Sequence, residues 1–283
     1  MDYWLYLNDM PEQQLVGVAQ AAENAGFRGV AIADHVAVPV DFDRTAHPSG
    51  HAPFDHRSSF PDPLVTAATL LASTQKLEVM SYVYILPMRE PFSVAKQVAT
   101  LATLSGDRFR FGVGAGWMLE EISLLGHPVP GRGRRLDEML EIIRAFWTRE
   151  SVEFHGEFFD FGPAGMAPRP EQPVPIWVGG KSRAALARAV RHDGWLGMNY
   201  ALDETWKLLE TLQTLRHDAE ATGTFETFVI PNATPSPTLY DELEGRGVTG
   251  TMGFAFDVTD PALAEIEAKR DAIEGFAETF IRR

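Results

Sequence analysis

Eight times along this chain a short run of β-forming residues is followed by a stretch with helical spacing of its apolar residues. The β-like runs are 3–7, 30–33, 77–85, 109–114, 176–178, 194–198, 225–230 and 248–253. The helical stretches are 11–24, 64–73, 92–104, 118–125 with 134–147, 183–191, 204–221, 238–245 and 261–281. Strands that alternate with helices need right-handed crossovers and so lie parallel. Eight such units in about 250–280 residues predict an α/β fold, a closed (β/α)8 TIM barrel. An open doubly wound sheet is the alternative. Even spacing over the whole length, with no Pro/Ser linker, favours closure and a single domain over 1–283. One segment breaks the rhythm. Residues 152–159 read as a hairpin turning at His155-Gly156, followed by a Pro/Gly loop, which predicts a small insertion over about 151–173, before strand five.

Composition narrows the function classes. Hydrophobic residues make up 45% of the chain, enough for a large core, and 23% charged residues argue against disorder. Cysteine is absent, which excludes disulfides, thiolate metal sites and a cysteine nucleophile. A formal net charge of −14 repels nucleic acid and anionic membranes. Any anion site must therefore be local, built from backbone amides and a few basic residues. No signal peptide is evident at Met1-Asp2-Tyr3-Trp4, and no apolar run reaches the ~18 residues a membrane span needs. A cytoplasmic protein is expected.

In a barrel of this kind the active site lies at the carboxyl ends of the strands. Those ends carry Asn8-Asp9, Asp34-His35, residues 82–86, Ala115-Gly116-Trp117, Gly179-Gly180-Lys181, Met198-Asn199-Tyr200, Pro231-Asn232 and residues 254–257. The set is rich in aromatics, glycines and amides and poor in carboxylates that could pair. His35 is the leading catalytic candidate, because imidazole donates hydrogen bonds and titrates near neutral pH. A purely structural histidine, with Asp34 capping a turn, is the plainer reading. The run Ile176-Trp177-Val178-Gly179-Gly180-Lys181-Ser182 ends a strand in glycines and opens a helix, with Ser182 as N-cap. Bare amides and the helix dipole there suit a phosphate; a plain strand-to-helix turn is the alternative.

Other motifs are weaker. Gly112-Val113-Gly114-Ala115-Gly116 resembles a dinucleotide loop, but its last interval is one residue short and it follows the fourth strand. Close backbone approach to a flat ligand, or dense packing, fits better. His47, His51 and His56 sit in a Pro/Gly-rich loop that no helix aligns, so a solvated lid is expected and no metal site. Arg132, Arg134 and Arg135 read as a solvated helix start, or as a basic fringe for an anionic tail.

Taken together, several runs resemble the bacterial luciferase-like monooxygenase superfamily. They are Ala33-Asp34-His35, Phe60-Pro61-Asp62-Pro63-Leu64, Ile85-Leu86-Pro87-Met88-Arg89-Glu90-Pro91, Ala95-Lys96-Gln97, Gly112-Val113-Gly114-Ala115-Gly116-Trp117, Arg135-Leu136-Asp137-Glu138, His155-Gly156-Glu157-Phe158-Phe159, Ile176-Trp177-Val178-Gly179-Gly180 and Asp193-Gly194-Trp195. They span about the first 200 residues in the family's order. The resemblance implies a (β/α)8 barrel, usually a homodimer, with a flavin-type cofactor: coenzyme F420, the deazaflavin, or alternatively FMN. The short length and Asp34-His35 are more similar to the F420 branch, which places a histidine at the deazaflavin ring. By the same resemblance, Gly179, Gly180 and Lys181 would hold the cofactor phosphate, and Ala115 and Gly116 would lie against its side chain. Val83 and Tyr84 would form a backbone bulge behind the ring, in some members through a non-proline cis peptide. Sugar-phosphate dehydrogenases of the branch carry a glutamate where this chain has Trp117, so that activity is not expected.

The implied function is hydride transfer between F420 and a small organic substrate, apolar or planar. Phe42, Phe54 and Trp117 would shape the substrate side. The alternatives are an FMN monooxygenase fed by a separate reductase, and a non-catalytic barrel that binds a flavin or other ligand. Replacing His35 by Ala would separate the last from an enzyme, since a carrier would keep its affinity.

Overall fold

The computed structural model describes residues 1–7, 9–253, 255–256 and 260–283. Its elements follow in chain order: β1 (Asp2–Tyr6), α1 (Leu15–Ala25), β2 (Gly29–Ile32), α2 (Pro63–Ser73), β3 (Glu78–Ser81), β4 (Tyr84–Ile85), α3 (Pro91–Ser105) and β5 (Phe109–Gly114). Next come α4 (Leu119–Leu124), α5 (Arg132–Thr148), the hairpin β6 (Val152–His155) and β7 (Asp160–Ala164), β8 (Ile176–Gly179) and α6 (Arg183–Val190). The chain closes with β9 (Gly194–Tyr200), α7 (Leu202–Asp218), β10 (Glu226–Pro231), α8 (Pro237–Gly245), β11 (Gly250–Gly253) and α9 (Ile266–Phe276).

The sheet is closed. β3, β2, β1, β11, β10, β9, β8 and β5 pair in that order, and β3 pairs back onto β5. Every pairing is parallel, for example Trp4 beside Gly29 and Met252. The expected eight-stranded barrel is therefore present, and the β6–β7 hairpin is the insertion before the fifth barrel strand. The expected turn at His155-Gly156 falls slightly later. Gly156 N–H donates to Phe159 O, and the Glu138 carboxylate accepts the N–H groups of Glu157, Phe158 and Phe159.

Two apolar layers hold the barrel. One lies between strands and helices, where Val18, Ala22, Val98, Leu140, Ile143 and Leu186 are all buried. The other fills the interior with Trp4, Met80, Tyr82, Trp177, Leu196, Phe228 and Met252. Fully burying each aliphatic side chain stabilises the fold by roughly 1.5–3 kcal/mol before entropy is counted. At the amino end Arg28 bonds Asp2, Glu78 and Glu226, and Arg110 bonds Glu78, so that end is closed by charge pairs.

The third strand departs from the sequence reading. Residues 77–85 read as one run, but β3 stops at Ser81 and β4 resumes at Tyr84. Between them Tyr82–Val83 is a cis peptide bond. β4 still pairs with β5, Tyr84 beside Val113. The last helix is also interrupted: a 3-10 turn at Pro261–Leu263, then α9, then a π-helical turn at Ala277–Ile281.

Candidate active site

A cavity of about 450 Å³ opens at the carboxyl ends of the strands, a size that suits a small ligand. One wall is Val83, placed by the break between β3 and β4. Its two methyl groups sit over two strand-end glycines. A Cβ on Gly114 would come within 2.8 Å of Val83 Cγ2, and one on Gly179 within 2.8 Å of Val83 Cγ1. Gly116, at φ +84°, lies against Ile85 and Ile122, where a Cβ would meet carbon atoms at 2.8 and 2.9 Å. The glycines thus serve close packing and leave flat backbone facing the cavity.

Asp34 holds this wall from behind. Its carboxylate accepts the Ile85 N–H at 2.7 Å and both ends of the Arg89 fork at 2.7 and 2.8 Å. The Arg89 guanidinium also lies 4.2 Å from the centroid of the Tyr84 ring. Burial pushes the Asp34 carboxyl up from its usual range, with Arg89 and the Ile85 amide opposing it. Burial likewise raises the Tyr84 phenol to about 12.

His35 lines the same cavity. Its Nδ1 is 2.7 Å from Glu121 Oε2. Glu121 is 1% exposed, and its other oxygen accepts the N–H groups of Val36 at 2.6 Å and Ala37 at 3.2 Å. A carboxylate that only accepts fixes a proton on Nδ1, so in the neutral ring Nε2 is an acceptor. Aromatic rings pack round the imidazole: Phe60 at 4.7 Å, Phe54 at 4.9 Å and Trp117 at 6.0 Å between centroids. His47, from the loop after β2, lies 5.0 Å from Trp117 and 6.2 Å from Phe54.

The remaining end is polar. Gly180, Lys181, Ser182, Ala184 and Ala185 line it, with Ser182 capping α6 by accepting the Ala185 N–H at 3.2 Å. Trp195 Nε1–H holds the Gly180 carbonyl at 2.8 Å. α5 begins beside it at Gly131, which caps with no side-chain bond, and Arg132 and Arg188 also line the space. Arg188 is committed to Asp137 at 2.8 and 2.9 Å, whereas Arg132 reaches only carbonyl oxygens at 3.3 and 3.5 Å. Two helix starts and a guanidinium give a local basic end in an acidic protein.

Asp34, His35, Phe54, Val83, Ala115, Gly116, Trp117, Gly179, Gly180 and Lys181, all expected at the site, border this cavity. Two placements need correction. Tyr84 is buried in the outer layer under Arg89, because the strand break turns Tyr82 and Val83, not Tyr84, toward the site. Phe42 does not border the cavity among the described residues; it stacks on Phe54 at 6.0 Å and backs Trp117 at 6.1 Å. The Lys181 ammonium also bonds Glu204 at 2.8 Å, while the residue lines the polar end of the cavity. Asn8, Phe254 and Asp257, expected at strand ends, lie outside the described residues. Sequence reasoning missed Glu121 and Arg188 and left His47 in a solvated lid. No group of three metal-ligating side chains occurs among the described residues.

A parallel barrel with its cavity at the carboxyl end belongs to the (β/α)8 class. Within it the chain is a member of the luciferase-like monooxygenase family, whose pattern it matches over residues 5–236. An uncharacterized protein of Mycobacterium tuberculosis is 38% identical over 95% of this chain and 94% of its own. The F420-dependent glucose-6-phosphate dehydrogenase of Amycolatopsis mediterranei is 32% identical over 59% of this chain and 47% of its own. The FMNH(2)-dependent dimethylsulfone monooxygenase of Pseudomonas putida is 33% identical over 73% and 54%. In fold, the monooxygenase RslO1 from Streptomyces bottropensis superposes with a TM-score of 0.77 over 99% of both chains at 18% identity. No helix among the described residues is long and apolar enough to cross a membrane.

Proposed function

We infer that the protein is an oxidoreductase that binds coenzyme F420 and acts on a small apolar or planar substrate. The observation that carries this reading is the buried Glu121–His35 pair, which sets one imidazole among aromatic rings in the cavity that Val83 also lines. The cavity fits such a cofactor on its own features. Three glycines line the cavity, packed against Val83, Ile85 and Ile122 where a Cβ would collide, and the far end offers amides at the α6 start with Arg132 beside them. A bound deazaflavin supplies hydride transfer at its central ring. The chain's own residues do the rest. Val83 would back the flat ring, and the backbone at Gly114 and Gly116 would let it approach. The amides of Gly180, Lys181 and Ser182, with Arg132, would hold a phosphate. His35 Nε2 would receive or return a proton at the substrate. Phe54, Phe60 and Trp117 would exclude water. In the same reading the protein works in the cytoplasm as a homodimer, built as one domain over 1–283.

FMN with a separate reductase is the second reading, favoured by the likeness to the FMNH(2)-dependent monooxygenase. Titrating apoprotein with F420 and, separately, with FMN decides between them by fluorescence quenching. Saturable F420 binding with weaker FMN binding is the expected result. Tight FMN binding with no F420 binding overturns the first choice.

A further inference from the structure

Two imidazoles border the cavity, and their hydrogen bonds leave them in opposite tautomers. His35 donates its Nδ1–H to Glu121, so in the neutral ring Nε2 carries the lone pair. His47 is held the other way. Its Nδ1 accepts the Ser49 backbone N–H at 3.2 Å and lies 2.7 Å from the Ser49 hydroxyl. A backbone N–H can only donate, so the proton of a neutral His47 must sit on Nε2. Burial, the main cause, lowers His47 to about 4, which keeps the ring neutral at neutral pH. Both rings pack on the same two side chains, Trp117 and Phe54. The wall therefore offers one acceptor and one donor, set in apolar surroundings.

The carboxylates near this wall add nothing further. Asp34 is taken up by Arg89 and Ile85, and Glu121 by His35, Val36 and Ala37. A group that matches one acceptor and one donor must itself donate and accept. A hydroxyl does both through one oxygen. An ether or ketone could use only His47, and an ammonium only His35. We propose that the aromatic wall selects a planar substrate bearing a phenolic or enolic hydroxyl, which donates to His35 Nε2 and accepts from His47 Nε2–H. This deepens the oxidoreductase reading, on which it rests for taking the aromatic wall as the substrate side.

The test needs no cofactor and no turnover. Apoprotein is titrated with β-naphthol, its methyl ether and naphthalene, read by probe and tryptophan fluorescence. Hydrophobic transfer alone ranks naphthalene first. Two hydrogen bonds instead make β-naphthol about tenfold tighter than naphthalene and about threefold tighter than the ether, which keeps only the His47 bond. His47→Phe keeps the aromatic bulk, removes the donor, and should cut that preference to about threefold. Equal affinities for the three probes in the unaltered protein overturn the proposal. So does a preference that His47→Phe leaves intact. Should the variant fail to fold, the probe series on the unaltered protein still decides. The two readings fail separately: a protein that prefers β-naphthol yet binds neither F420 nor FMN keeps this pairing and loses the oxidoreductase function.

Discussion

Glu121 controls the site at the scale of a single residue without bordering the cavity. Three donors converge on it: His35 Nδ1–H, Val36 N–H and Ala37 N–H. Glu121→Gln supplies one amide oxygen where two carboxylate oxygens stood. Two fixed backbone N–H groups outcompete one rotatable proton, so the amide oxygen should face Val36 and Ala37. Its NH2 then points at His35 Nδ1 and forces the ring into the Nε2–H tautomer. Nitrogen-15 NMR of the histidine rings should show this switch, with a stability cost of about 1–3 kcal/mol for the disturbed buried group. Retention of the Nδ1–H tautomer would contradict the account. His35 was legible in the sequence because a histidine at a strand's carboxyl end has few neighbours to mislead the reader. Glu121 was not. It stands beside Glu120 in a six-residue helix, and nothing local says which carboxylate turns inward. His47 was lost for a similar reason: a loop has no period from which to read a facing direction.

At the scale of elements, the break between β3 and β4 organises the cavity. Val83 fits because Gly114 and Gly179 flank it, one under each methyl group. Gly114→Ala places a Cβ where only 2.8 Å separates it from Val83 Cγ2, and Gly179 leaves the valine little room to retreat. Overpacking of this kind costs roughly 1–3 kcal/mol. The thermal midpoint should fall, and so should affinity for whichever cofactor binds. Adding Val83→Ala to Gly114→Ala should restore much of both, since it removes the colliding methyl groups. A single variant as stable and as tight-binding as the parent would show that the ledge is not packed as described. The break itself was hidden in the sequence. A parallel strand is buried on both faces, so 77–85 reads as one apolar run whether or not it bends. Tyr82 faces the interior beside Phe228, and Tyr84 faces the outer layer beside Phe111. The family resemblance pointed to a bulge here but set it one residue late, which is why Tyr84 was misplaced.

Over the whole molecule, closure was legible because it depends only on the rhythm of eight strand–helix units, which survives errors of a few residues at element ends. Ionisation across the fold was not legible, since it depends on burial. His192 follows α6, away from the cavity; its Nδ1 is buried without a hydrogen-bond partner among the described residues. Burial, with the Arg144 cation beside it, lowers His192 from 6.5 to about 4. His47 is lowered to about 4 as well, mainly by burial. The unfolded chain takes up these protons below pH 6.5, while the folded chain resists until about pH 4. The unfolded state therefore binds more protons in that window, and stability falls as pH falls. A change from 6.5 to about 4 corresponds to about 3 kcal/mol at most for His192. The partly exposed His47 contributes less, because solvent screens it. Buried Asp34 and Glu78, both raised by burial, act in the opposite sense, so the parent curve alone cannot isolate the histidines. A difference between variants can. Urea unfolding of His192→Leu beside the parent, from neutral pH down to about pH 4, cancels every titration the two chains share. The parent should lose up to about 3 kcal/mol more than the variant over that range. Parallel curves would mean that His192 titrates in the fold much as it does in the unfolded chain, and that the end of α6 is open to solvent.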